Sequence, residues 1–183
     1  MLWITSIYWD AAKRYLPDER ITTLFIAESP PHYNPEEEPR YFYFNKLRGK
    51  EHLFRNMMSV LNPKGLRKAI ETADKASALL AFKKAGYFLT DATDIPVNHL
   101  DFKRRIIEIQ KGLPSLVGRV QSLADKSTPI ILIKKATLKP VQDRLVNLGF
   151  NIIGPEPLPF PAYGNQKRFR NSLRSRLAGL KGS

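Results

Sequence analysis

The chain has 183 residues, 43% of them hydrophobic, with 30 Lys and Arg against 17 Asp and Glu, a net charge of +13 and no cysteine. That length and apolar content fit a single domain spanning 1–183 with its own core, and the missing cysteine excludes disulfides, thiolate nucleophiles, Cys-ligated zinc and iron–sulfur clusters. No apolar run approaches the roughly 20 residues that cross a bilayer, while the positive field favours a polyanionic partner, of which nucleic acid is the commonest inside cells.

The N-terminal stretch MLWITSIYWDAAKRYL predicts a helix over about 5–16, closed by Pro17. Asp10, Lys13 and Arg14 interrupt its apolar run and no positive charge precedes it, so it reads as a helix packed on the domain and not as a signal peptide. ITTLFIA follows, a nearly continuous apolar run typical of a strand covered on both faces. It ends in Glu28, Ser29 and two prolines, then enters a polar loop of about fifteen residues with three glutamates and the aromatic run Tyr41, Phe42, Tyr43 and Phe44. KEHLFRNMMSVL carries Leu53, Met57, Val60 and Leu61 at helical spacing, with NPKG expected to end that helix. RKAIETADKASALLAFKKAG is again helical in period and Gly86 is a natural stop.

YFLTDATDIP reads as a second strand, and DFKRRIIEIQKGLPSLVGRVQSLA as a long helical pattern in which Pro114 suggests a kink or two helices. PIILIK is the clearest strand, and ATLKPVQDRLVNLGF puts Leu138, Val141, Leu145 and Leu148 on one helical face before Gly149. NIIGPEPLPFPAYG is expected as a fourth short strand running into a proline-rich loop, and a basic helix over about 165–180 closes the chain, with Asn165 as its cap. No acidic residue follows Glu156, while Lys167, Arg168, Arg170, Arg174, Arg176 and Lys181 do. Apolar strands alternating with helices predict an α/β fold: a three-layer α/β/α sandwich around a short, mainly parallel four-stranded sheet.

In such folds the working residues gather at the C-terminal ends of the strands. Here those ends bring Glu28, Asp91 and Asp94 together with the hydroxyls of Ser29 and Thr90 and the cations Lys134 and Lys135. A carboxylate beside an apolar wall can position and deprotonate water, and aromatic rings in the same cleft suit a planar ligand such as a base. Taken singly, each feature has a plain structural reading: a strand-end carboxylate bonding backbone amides, turn aspartates, an aromatic run in the core. His32, His52 and His99 are scattered. No metal and no cofactor is therefore expected, although carboxylate-bound magnesium stays open as chemistry.

The order strand, xExP, polar loop and aromatic run, then strand with polar end, strand, and strand with proline-rich loop and basic helix, resembles the uracil-DNA glycosylase superfamily across most of the chain after residue 20. In that family the first strand ends in a motif such as G-E-A-P-G, G-Q-D-P-Y or G-[IM]-N-P-G. AESPP at 27–31 is similar, with Ala27 in place of the glycine and Glu28 and Pro30 matching. The resemblance implies that Glu28 orients the hydrolytic water, with Ser29 as helper. It implies that Tyr41, Tyr43 or Phe44 stacks on a flipped base, Tyr43 above the others. Asp91 stands where many members read uracil with an asparagine, and an ionised carboxylate there suits a base that presents donors.

The family's closing motif, often H-P-S, corresponds to PLPFPAYGNQKRFR, which has no histidine to stabilise the departing base. Phe160, held between Pro159 and Pro161, resembles a rigid wedge. Tyr163 shares its loop, and Lys167, Arg168, Arg170 and Arg174 would follow the phosphates. The resemblance thus implies a DNA glycosylase-like protein that hydrolyses the N-glycosidic bond of a damaged or deaminated base flipped from DNA. The alternative is a non-catalytic nucleic-acid-binding protein on the same fold. A small-molecule hydrolase or nucleotide-binding protein lacks any Gly-rich phosphate loop or nucleophile elbow to support it. The expected partner is DNA, duplex or single-stranded, with no membrane; the expected form is a cytoplasmic monomer, nucleoid-associated in a prokaryote.

Overall fold

The computed structural model describes residues 2–32 and 40–181; the polar loop's three glutamates, Glu36, Glu37 and Glu38, lie outside the described residues. Helix α1 (Leu2–Lys13) leads into β1 (Thr23–Ala27), and α2 (His52–Leu61), α3 (Pro63–Thr72) and α4 (Ala76–Lys84) connect it to β2 (Tyr87–Asp91). Helix α5 (Phe102–Leu123) leads to β3 (Ile130–Leu132), then α6 (Lys135–Asn147) and α7 (Gln166–Lys181).

The three strands are parallel in the order β2-β1-β3. Every residue of β1 is buried, alternate positions alike, so both faces of the central strand are covered. Helix α4 packs on β2, α6 on β3, α5 against α6, and α2 against α3 and α7. Leu24, Phe25 and Ile26 are fully enclosed among Phe54, Met57, Leu79, Leu116, Leu138 and Leu145 in one continuous core.

The expected fourth strand does not form a ladder. Among the described residues the sheet has three strands, and the chain beyond α6 pairs with β3 and the adjoining Ile133 through isolated parallel bridges at Ile152 and Leu158. Between them lie Gly154 at φ 95° and two prolines, Pro155 and Pro157, which carry no N–H for a ladder bond. The bridges suffice to bring the loop back: Leu158 donates to Leu132 (2.7 Å) and accepts from Lys134 (2.8 Å).

Two helical boundaries also differ from the sequence expectation. NPKG starts a helix rather than ending one: Asn62 caps α3 by accepting from the Gly65 N–H (2.9 Å), with Pro63 in the first turn, where a missing N–H costs nothing. The following periodic stretch breaks at Ala73, which takes the left-handed conformation (φ 54°), and restarts as α4. Helix α5 runs through Pro114 as one element, started by Asp101, whose side chain accepts from the Arg104 N–H (3.0 Å).

The open edge of β2 is covered by a side chain. The Tyr43 hydroxyl donates to the Leu89 carbonyl (3.0 Å) and accepts from the Leu89 N–H (2.7 Å), replacing the strand that would otherwise pair there. Among the described residues no helix is long and apolar enough to cross a membrane.

Candidate functional site

Parallel pairing puts the three strand C-termini at one edge of the sheet. Ala27 is in register with Asp91, the Glu28 carbonyl accepts from Thr93 (3.3 Å), and the Ile133 N–H donates to Ile26 (2.8 Å), so Glu28, Asp91 and Lys134 emerge side by side. They line a cavity of about 290 Å³ together with Ser29, Tyr41, Phe42, Asn98 and Phe160. That volume lies at the lower end of small-molecule sites, which begin near about 300 Å³.

Glu28 is buried at 5% exposure, and both of its oxygens are engaged. Oε1 accepts from the Thr137 hydroxyl (2.7 Å), Oε2 meets the Lys134 ammonium, and Arg105 Nη1 stands 3.9 Å from Oε2. Arg105 also donates to the Leu100 (2.7 Å) and Asn98 (2.6 Å) carbonyls, fixing the loop after β2 against this carboxylate. Ser29 turns from Glu28 and accepts from the Val97 N–H (3.3 Å). Lys134 has φ 100° and ψ 77°, a left-handed backbone that side chains resist, and its amine lies 5.6 Å from the centre of the Phe160 ring.

Asp91 is the site's unpaired carboxyl. Burial pushes its pKa from 3.8 to about 7, against the opposing pull of the Arg119 guanidinium. Arg119 donates to the Asp91 carbonyl (2.7 Å) and spends its charge on Asp94, so the Asp91 side chain keeps only a long contact from the Tyr41 hydroxyl (3.5 Å). Burial, with Asp91 adding to it, holds the Tyr41 phenol well above its ordinary range, so Tyr41 stays a neutral donor.

The other wall is held by a second ion pair. Lys75, fully buried, donates to Glu51 Oε2 (2.5 Å) and to the Tyr41 carbonyl (2.7 Å), while Glu51 Oε1 accepts from the Arg48 N–H (2.7 Å). Burial lowers the Lys75 pKa and its Glu51 partner works against that shift. No protein-family model matches the chain, and no curated protein matches it. The arrangement itself therefore carries the functional reading.

Of the aromatic candidates, Tyr41 reaches the cavity and Phe42 joins it. Tyr43 is in the core at 1% exposure as the edge cover of β2, and Phe44 packs on Tyr8 and Tyr41. Phe160 forms part of the cavity wall instead of projecting from it. Tyr163 is the residue that projects: it is 99% exposed, in a left-handed turn (φ 50°), with Gly164 at φ 84° beside it. On α7, Phe169 and Leu173 face the core, Lys167, Arg168 and Arg174 are exposed, and Arg170 is bound to Asn56 Oδ1 on α2 (2.6 Å).

Lys135 lies outside the cavity lining, paired with Glu156 (2.5 Å), and Thr90 is buried in β2. His32 and His99 bring their rings to 4.4 Å, while His52 lines the cavity. Among the described residues no three His, Cys, Asp or Glu side chains form a group that could hold a metal ion. The residues that sequence reasoning missed are Glu51, Lys75, Arg105, Arg119 and Thr137. Each sits in a helix or at a helix start that looks solvent-facing by periodicity, and only long-range contact reveals it.

Proposed function

We propose that this chain is a DNA glycosylase-like protein that hydrolyses the N-glycosidic bond of a damaged or deaminated base flipped out of DNA. The observation that carries the reading is Glu28 at the end of β1, facing a base-sized cavity with the Tyr41–Phe42 wall on one side and Phe160 and Lys134 on the other. A flipped base would stack on Tyr41 or Phe42, and Asp91 would read its edge; near neutral pH that carboxyl both donates and accepts, as an amide does. Glu28 would orient water toward the sugar C1′ and, with the phosphates, stabilise the positive charge that develops there.

Tyr163, rather than Phe160, is the better wedge, because a ring that fills a gap in the base stack must reach the duplex. The exposed Lys167, Arg168 and Arg174 of α7 would follow the phosphate backbone. Burial of β1 on both faces supports a three-layer α/β/α arrangement, and the resemblance to the uracil-DNA glycosylase superfamily is part of the same proposal. The protein would work as a monomer in the cytoplasm, at the nucleoid in a prokaryote.

Two observations favour a second reading, a non-catalytic nucleic-acid-binding protein on this fold. Both Glu28 oxygens are occupied, and the closing loop has no histidine. Oligonucleotides carrying uracil, hypoxanthine, xanthine or an alkylated base, treated with hot alkali after incubation, separate the two readings. Strand breakage at one lesion, lost in Glu28→Gln with DNA affinity kept, is the expected result. Salt-sensitive binding without breakage at any lesion would leave the binding module.

A further inference from the structure

Lys134 combines features that a plain ion pair does not require. It lines the cavity from a left-handed backbone (φ 100°), its side chain keeps 21% exposure, and its amine meets a carboxylate whose second oxygen is held by Thr137. Lys50 also lines the cavity, but from its exposed rim and without a buried carboxylate contact. An amine enclosed beside a proton acceptor, next to space for a ligand, is the arrangement that forms imines with carbonyl compounds.

We propose that Lys134 is a nucleophile toward aldehydes entering this cavity, above all the ring-opened sugar of an abasic site, which it captures as an imine. The proposal rests on the DNA reading above, because the aldehyde it names is the sugar left after base loss. Lys134 passes a proton to Glu28, and the freed Nζ lone pair forms a bond to C1′ as the carbonyl π pair moves to oxygen. Glu28 returns the proton to that oxygen, takes a second from nitrogen and delivers it to the hydroxyl, which departs as water while the nitrogen pair closes the C=N bond. Of the three ammonium hydrogens, two leave with the aldehyde oxygen and one stays on the iminium nitrogen. Arg105, 3.9 Å from Oε2, remains as counter-charge when Lys134 turns from Glu28 to the sugar.

The test incubates the full chain with a duplex bearing one abasic site and cyanoborohydride, which reduces an imine to a permanent amine. A denaturing gel and peptide mass spectrometry then read the adduct, and anisotropy on the same duplex reads binding. The expected result is a cross-link mapped to Lys134 and lost in Lys134→Arg when both proteins are saturated with the duplex, as anisotropy reports; the arginine keeps the positive partner of Glu28 and cannot form the imine. Bound DNA without an adduct, or an adduct on Lys50 or elsewhere, overturns the proposal. Base release from a lesion with no trapped adduct overturns it while leaving the glycosylase reading intact. Absence of both binding and adduct overturns the two together.

Discussion

Two lysine–carboxylate pairs stand at the same cavity, which Glu28, Lys134 and Glu51 line while Lys75 lies behind its wall, and they differ in how closed they are. In the Glu51–Lys75 pair the side chains are 5% and 0% exposed, and Lys75 adds the Tyr41 carbonyl to its contacts while Glu51 adds the Arg48 amide. In the Glu28–Lys134 pair the carboxylate is equally buried but the lysine is 21% exposed and borders the cavity. A closed pair fixes the segments it joins, here the aromatic wall and the start of α2. An open pair can exchange one partner for a ligand. The same two residue types thus form a closed scaffold on one side and, in the proposed reading, the reactive pair on the other.

Breaking the closed pair should have the largest effect on stability. Lys75→Met strands a buried Glu51 charge and is expected to cost about 4 kcal/mol in urea unfolding. The double variant Lys75→Met with Glu51→Leu should recover most of that loss, because it removes both charges together. Lys134→Met should cost less, about 2 kcal/mol, since Thr137 and Arg105 still face the equally buried Glu28. Equal losses at the two lysines would show that the pairs are not scaffold and site but two scaffolds.

Asp91 sharpens the comparison as a buried carboxyl with no lysine. Its folded pKa, about 7, lies above the ordinary 3.8, so the folded state holds the proton more tightly. The stability that this proton contributes is complete below about pH 4 and is lost as pH rises through 7. Asp91→Asn should therefore match the parent protein near pH 4 and exceed it at pH 8 by on the order of 4 kcal/mol, read from urea midpoints at the two pH values. Base recognition by the parent protein should weaken across the same window, and that of Asp91→Asn should not.

Smaller effects are expected at the surface proposed to meet DNA. Tyr163→Ala, a change at a fully exposed side chain, should leave stability alone and weaken DNA binding by about 1–2 kcal/mol. Phe160→Ala, which removes part of the cavity wall, should lower stability as well. Arg168→Gln should reduce the slope of log affinity against log salt by about 0.9. Arg170→Gln should act mainly through stability, because its guanidinium is already bound to Asn56.

By itself the sequence determined the parallel α/β class, the strands around Phe25, Leu89 and Ile131, the basic last helix and the edge where Glu28, Asp91 and Lys134 meet. Those features follow from local hydrophobic period and from the rule that parallel strands end on one side. Only the tertiary structure decided that Tyr43 closes the edge of β2 while Tyr41 and Phe42 face the cavity, because alternation along four aromatic residues does not say which face is inside. It alone paired Lys75 with Glu51 and Lys134 with Glu28, residues 24 and 106 positions apart, since a buried charge is identified by its partner and not by its neighbours in the chain. It also left the fourth segment as two bridges, where Pro155 and Pro157 withhold the N–H groups a strand would need.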